Sequence, residues 1–195
     1  MITLEKYDLK YTDDFVEYMK EFQRYGDEFG MMDIFKTVFR HCYSIEKKYT
    51  DFSEKELRDF FPRYAEFMIN CEKAETIEKK DWVEADSYFI CKDGKMIGEI
   101  NFRKRLNVFL LTHSMGHIGY KIKQSERGNG YGTEALRLLL EKAWKEGYTE
   151  LMISCKENNI PSSRVIEKNG GILNRINKIN EKEPEKEYWI FNPNL

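Results

Sequence analysis

Apolar and polar positions first fall into a helical rhythm between Thr12 and Tyr25. Phe15, Tyr18, Met19, Phe22 and Tyr25 share one face, with Thr12 or Asp13 available as a cap. From Gly26 to Phe52 the pattern is irregular and dense in Phe, Met and Tyr, with a short helix expected through Ile34, Phe35, Val38 and Phe39. Ser53-Glu54-Lys55-Glu56 has the form of a capping box. Leu57, Phe60, Phe61, Tyr64, Phe67 and Met68 follow at helical spacing, and Pro62 predicts a kink or a restart among them.

The period changes at about Asp86. Ser87 to Cys91 and Met96 to Arg103 read as strands joined by the tight-turn dipeptide Asp93-Gly94, and a third strand is expected from Gly116 to Lys123. A glycine-rich segment then leads into a helix whose face carries Leu136, Leu139, Leu140, Ala143 and Trp144, ended by Gly147. Glu150 to Cys155 reads as a strand and Pro161 to Asn169 as a short helix stopped by Gly170-Gly171. Ile172 to Ile176 and Tyr188 to Phe191 make two last strands around a charged turn. Nothing divides the chain: one domain over 1–195 is expected, 1–85 mainly helical and 86–195 carrying the sheet.

Composition narrows the function classes. With 41% apolar and 34% charged residues, the chain has the make-up of a soluble globular protein. A net charge of −2 lacks the basic excess of a dedicated nucleic-acid binder. Cys42, Cys71, Cys91 and Cys155 never form a CxxC pair, so no metal site and free thiols are expected. The first residues show no signal-peptide pattern and no apolar run approaches a membrane span, so the expectation is a cytoplasmic protein.

The chemistry concentrates in Arg127-Gly128-Asn129-Gly130-Tyr131-Gly132, where a strand ends and a helix begins. Glycines there let the backbone approach a ligand, and amides at a helix start cradle an anion. Arg127 adds charge, with Lys121 and Lys123 on the preceding strand. A dinucleotide fingerprint does not fit, because Thr133 stands where its third glycine belongs, and no Gly-Lys-Ser/Thr triplet follows for a Walker loop. A bare strand–helix turn also uses glycine.

The segment resembles the pyrophosphate loop of the GNAT superfamily of acetyl-CoA-dependent N-acetyltransferases, through Arg127, Gly130 and Gly132. The run from Asn159 to Gly170, with Ser162, Val165 and Asn169, resembles that superfamily's second signature, and Gly116-His117-Ile118-Gly119-Tyr120 looks like a little-characterised branch. Gly171 stands where many relatives carry Phe. The resemblance covers about Asp86 to Phe191. It implies a mixed α+β fold with a splayed, mainly antiparallel sheet of six to seven strands and helices on both faces.

The resemblance also implies acetyl-CoA as donor, a primary amine on a small molecule or protein as acceptor, and direct attack, with a homodimer left open. Its pyrophosphate would meet Arg127, Gly128, Asn129, Gly130, Tyr131, Gly132 and Thr133. The pantetheine would follow the backbone near Tyr120 and Ile122, with Asn159 and Ser162 opposite; helix capping is the alternative for that pair.

The superfamily's usual acid and base positions hold Ile166 and Ser154, so proton handling falls to other residues. His117 is the first candidate base, with a buried, hydrogen-bonded ring as its alternative. Glu99 is the second. It shares a strand face with Asn101 and Arg103, and solvent exposure is the plainer reading of that row. Ser162 is a candidate proton relay to the thiolate. Acceptor binding is expected at Gly26–Phe52 and Leu106–Met115, and the acidic run from Glu72 to Asp86 either attracts a cationic amine or is a solvated face. A non-catalytic acyl-CoA-binding module and a nucleotide-binding protein are the rival readings.

Overall fold

The change of period at Asp86 is where a continuous sheet begins in the computed structural model, which describes residues 1–25, 49–73, 75 and 82–194. Helix α1 (Thr12–Tyr25) has the bounds its apolar stripe predicts, and buries Phe15, Val16, Tyr18, Met19 and Phe22. Its entry is capped upstream: Asp8 accepts the Lys10 amide in a short 3-10 turn, and Thr12 donates its hydroxyl to the Leu9 carbonyl. Helix α2 (Glu54–Asn70) begins with both halves of the Ser53–Glu56 capping box. The restart expected at Pro62 does not occur, because α2 runs on through it. Pro62 and Arg58, one turn earlier, both lie on the exposed side, where water can satisfy the Arg58 carbonyl. Phe60, Phe61, Tyr64 and Ala65 bind the two halves into one core.

Strands β1 (Ile2–Glu5), β2 (Ala85–Lys92), β3 (Lys95–Arg103) and β4 (Ile118–Ile122) form one antiparallel sheet in that order. The β2–β3 turn is the expected hairpin: Asp93 and Gly94 both take positive φ, 50° and 82°, as a two-residue primed turn requires. The region 106–115, where acceptor binding is expected, contains the five-residue helix α3 (Val108–Thr112), capped by Asn107. Helix α4 (Tyr131–Lys145) follows β4. Strands β5 (Glu150–Lys156), β6 (Ile172–Asn177) and β7 (Glu185–Phe191), with helix α5 (Ile160–Lys168) between β5 and β6, build a second antiparallel sheet in the order β5-β7-β6.

β2 and β3 are buried on both faces. Phe89, Cys91 and Met96 join the aromatic core under α1 and α2, where Phe15 stacks on Phe61 with centroids 4.6 Å apart. Tyr88, Ile90, Ile97, Ile100 and Phe102 join the aliphatic core under α4, with Leu136, Leu139, Leu140 and Ala143. Helices therefore cover both faces, and the expected splayed, mainly antiparallel sheet is present with seven strands.

Gly98 lets β3 approach β4. A Cβ built there would overlap the Lys121 carbonyl oxygen and come within 2.9 Å of Ile122 Cδ1. Gly98→Ala should therefore cost about 1–3 kcal/mol of stability, the range for overpacking a well-filled interior. Urea unfolding monitored by Trp fluorescence checks this; an unchanged midpoint would mean that the strands separate freely.

Candidate active site at the split between two sheets

β4 and β5 are edge strands of different sheets, and they touch at one end. The His117 amide donates to the Met152 carbonyl at 2.7 Å, and the Met152 amide donates back to His117 Nδ1 at 3.0 Å. Beyond this contact the strands make no ladder. Arg103 N to His117 O and Lys123 N to Ile97 O fix the hydrogen-bonding phase between β3 and β4. Alternation along the ladder then turns the backbone groups of Tyr120 and Ile122 away from β3, into the split. Arg127 Nε takes the Ile122 carbonyl at 3.0 Å.

The glycine loop closes the far end. Gly128 and Gly130 have φ of 81° and 82°, the left-handed region that side chains disfavour, and Gly130 is the N-cap of α4. Around a Cβ placed on either residue there is open space to 4 Å. This is a left-handed backbone turn with open space beside a helix N-terminus, where backbone amides can bind an anion. At Gly132 a Cβ would sit in ordinary contact, 3.7–3.8 Å from Val165, Ile122 and Tyr120. Asn129 turns its side chain back onto the Glu126 and Arg127 carbonyls. Lys121 reaches away from the loop, its Nζ 4.5 Å from the Phe22 ring centroid.

On the α5 side, Asn159 Oδ1 accepts the Ser162 amide and caps the helix, as its alternative reading held. Ser162 Oγ and the Tyr120 hydroxyl lie 2.9 Å apart, bridging α5 to β4 beneath the split. Asn169 binds the Thr133 carbonyl, tying the end of the second signature to the first turn of α4. Gly171 is explained by contact: a Cβ there would collide with Ile166, including its carbonyl oxygen at 2.9 Å.

The other face of the split is polar and buried, which corrects the plainer reading of the Glu99 row. Glu99 and Asn101 are 1% and 4% exposed, and Arg103 is half-buried. Cross-strand partners share a face, so Lys121, Gly119 and His117 lie beside this row. Glu99 Oε1 accepts the hydroxyls of Tyr7 and Tyr64, while Oε2 has no hydrogen bond of ordinary length among the described residues. Burial pushes the Glu99 pKa up to about 7, against the opposing pull of the Tyr7, Tyr64 and Tyr18 hydroxyls. Asn101 Oδ1 accepts the Gly119 amide at 3.1 Å.

His117 has its Nδ1 lone pair committed to the Met152 amide, and burial pulls its pKa down to about 4. At neutral pH the ring is neutral with its proton on Nε2, a donor rather than a proton acceptor. Ser154 donates to the Ser114 carbonyl, and the Ser114 hydroxyl donates to Glu187 at 2.8 Å. Glu187 also accepts Arg175, and that bond is the main cause holding its pKa below the usual carboxylate range against burial.

Tyr7, Ser114 and Glu187 escaped the sequence reading, and Tyr18 and Tyr64 were legible only as helix-face positions. The available signal was tyrosine rather than phenylalanine at core spacing, opposite a strand with alternate polar residues. In the acidic run, Glu84 and Asp86 pair with Arg105 and Lys104, and Glu72 with Lys6, so these three are not waiting for a ligand. Residues 26–48, with their expected helix and aromatics, and 76–81 lie outside the described residues. Among the described residues no group of three or more His, Cys, Asp or Glu could hold a metal, and no helix is long and apolar enough to cross a membrane.

Comparison with known proteins places this geometry in context. A family model described as an acetyltransferase (GNAT) domain matches residues 38–172. The probable N-acetyltransferase YjcK of Bacillus subtilis (strain 168) is 28% identical over 159 residues, spanning 72% of this chain and 85% of YjcK. The uncharacterized N-acetyltransferase YjdG of the same strain is 26% identical over 137 residues, 68% of this chain and 72% of YjdG. Among solved structures, the ribosomal L7/L12 α-N-protein acetyltransferase RimL in complex with coenzyme A superposes with a TM-score of 0.66 at 16% identity, covering 97% of this chain and 93% of RimL. The microcin C7 self-immunity acetyltransferase MccE, in complex with acetyl-CoA and AMP, gives 0.62 at 16% identity, covering 98% and 92%. At these identities the structural likeness is one of fold.

The His117 arrangement has a pH signature. Its folded pKa lies below the unfolded value of about 6.5, so the unfolded chain binds the extra proton first as pH falls. Its share of stability is present above pH 6.5 and is lost between about 6.5 and 4. Acid unfolding of His117→Gln should be flatter in that window, and an NMR titration should put the His117 midpoint near 4. A midpoint near 6.5 would mean that the ring is not held in its buried position.

Proposed function

The chain belongs to the GNAT acetyltransferase family, and on that premise we propose that it transfers the acetyl group of acetyl-CoA to a primary amine on the face carrying Glu99, Asn101 and Arg103. The observation that carries this reading is the split between β4 and β5, with a left-handed glycine turn at one end and, on one face, a polar row that includes the buried Glu99 carboxylate. CoA in the RimL complex and acetyl-CoA in the MccE complex support the choice of donor.

In this reading the amides at Gly128 to Thr133, with Arg127, Asn129, Tyr131 and Gly132, hold the pyrophosphate by aligned N–H donors and the dipole of α4. The backbone of Tyr120 and Ile122 binds the pantetheine amides. A β4 amide meets the charge that develops on the carbonyl oxygen, and Asn159 and Ser162 line the opposite side. Glu99 takes the proton of the attacking amine, since a carboxylate with a pKa about 7 is half ionised at neutral pH. The committed Nδ1 of His117 moves that role away from the histidine. The Ser162 hydroxyl relays a proton to the departing thiolate while taking one from the Tyr120 hydroxyl, which is replenished from solvent.

The direct test is release of free thiol from acetyl-CoA across a panel of amines. Amine-dependent release is expected; CoA binding with no release for any amine would instead indicate a non-catalytic acyl-CoA-binding module.

Gly130→Val should weaken CoA binding roughly 10- to 100-fold, the loss of one or two charge-assisted hydrogen bonds. The left-handed φ adds about 1–2 kcal/mol of destabilisation. Calorimetric titration of the folded variant checks this, and parental affinity would move the pyrophosphate elsewhere.

Glu99→Gln should lower kcat/KM by about two to four orders of magnitude. The parental rate should rise with pH through about 7, the folded pKa, as Glu99 becomes able to accept a proton. A Gln variant that keeps the parental pH profile would remove Glu99 from the mechanism.

A further inference from the structure

Arg103 stands out among the charged groups of the acceptor face. A guanidinium carries five N–H donors, and taking one out of water is costly unless an anion accompanies it. Among the described residues the Arg103 side chain makes one hydrogen bond, Nη1 to the Gly116 carbonyl at 2.8 Å. Among the described residues no carboxylate lies within ion-pair distance of it, although its neighbours Lys104 and Arg105 pair with Asp86 and Glu84. Burial alone pulls its pKa below the ordinary value. None of its nitrogens is among the fully buried, unpartnered atoms, so the remaining donors keep some access to the space outside the fold.

That space adjoins the closed end of the split. Gly116 packs against the β5 backbone at Met152 and Ile153, and the next residue, His117, makes the β4–β5 contact. With Nδ1 engaged, Nε2–H is the donor left on the imidazole, beside Arg103. Glu187 does not supply the missing counter-charge, since its carboxylate already takes Arg175, Ser114 and Asn177. At a strand rise of about 3.4 Å per residue, the Arg103 and Glu99 Cα atoms are roughly 13 Å apart on one face.

Resting on the acetyl-transfer reading above, we propose that Arg103, with His117 beside it, binds an oxyanion on the acceptor, so that the substrate is an amine carrying a carboxylate or phosphate several bonds from its nitrogen. Glu99 engages the amine end and Arg103 the anionic end. A planar guanidinium suits both anions, because each accepts two parallel N–H bonds.

The test compares three acceptors of matched length: hexylamine, 6-aminohexanoate and 6-aminohexyl phosphate, assayed by thiol release from acetyl-CoA. At least one anionic amine should exceed hexylamine in kcat/KM by about 10- to 100-fold, the worth of a charged hydrogen bond or two. The gain should appear chiefly in KM, and the better anion identifies the source. Arg103→Met should bring the ratio close to one and Arg103→Lys should restore part of it, with thermal melts confirming that both variants fold. No preference in the parent, or a preference that survives Arg103→Met, overturns the proposal. If none of the three amines is acetylated, the transfer reading is decided by the wider amine panel, and the oxyanion site is decided separately by NMR. In CoA-saturated protein the Arg103 Nε–H resonance should shift on titration with 6-aminohexanoate or 6-aminohexyl phosphate but not with hexylamine. A resonance that stays put with both anions also overturns the proposal.

Discussion

The structure turns on one interrupted pairing. β4 and β5 are joined at His117 and Met152 by two hydrogen bonds, one from each backbone amide, and the second is accepted by an imidazole nitrogen rather than a carbonyl. A side chain in the place of a backbone acceptor ends the ladder where it would otherwise continue. From there the sheet separates into a four-stranded and a three-stranded half. Backbone groups on the inner edge of β4 are left to be satisfied by something other than a strand, and buried backbone groups are seldom left unpaired. An extended ligand with amide groups meets that need, which ties the split in the sheet to the chemistry of the family.

The rest of the molecule holds the split open from both sides. On one face α4 and α5 lean on it through the aliphatic core, with Asn169 fastening the two helices to each other. On the other face Tyr7, Tyr64 and the helices α1 and α2 enclose Glu99, whose burial makes it easily protonated against the opposing pull of the tyrosine hydroxyls. A buried acid without a cation is a cost to the fold, and so is a half-buried guanidinium without an acid. The two on one strand, four residues apart, fit an acceptor that supplies the complement of each.

Much of this was legible in the sequence where the signal is local. The apolar stripe of α1, the Ser53–Glu56 box, the Asp93-Gly94 hairpin and the glycine loop each depend on residues within one or two turns of chain. The misreadings have the opposite character. β1 is four residues long, too short to show a period, and exists because β2 pairs with it. Pro62 interrupts a helix on propensity, yet tertiary packing on the buried side carries α2 through it. Glu99 looked solvent-facing because its partners Tyr7 and Tyr64 lie 92 and 35 residues away, and His117 looked like a base because Met152 lies 35 residues ahead. Local pattern identified the glycine turn, while the surroundings of Glu99 and His117 are set by contacts that only the folded chain brings together.

The central claim is that the break between β4 and β5 seats the acetyl donor and delivers its thioester to the Glu99–Arg103 face. A crystal structure of the protein with CoA tests it most directly. The account predicts a pantetheine lying between β4 and β5, bonded to the backbone of Tyr120 and Ile122, with its thiol opening beside Glu99, Asn101 and His117. A CoA bound outside the split, or one whose thiol opens toward α4 and α5, would contradict it.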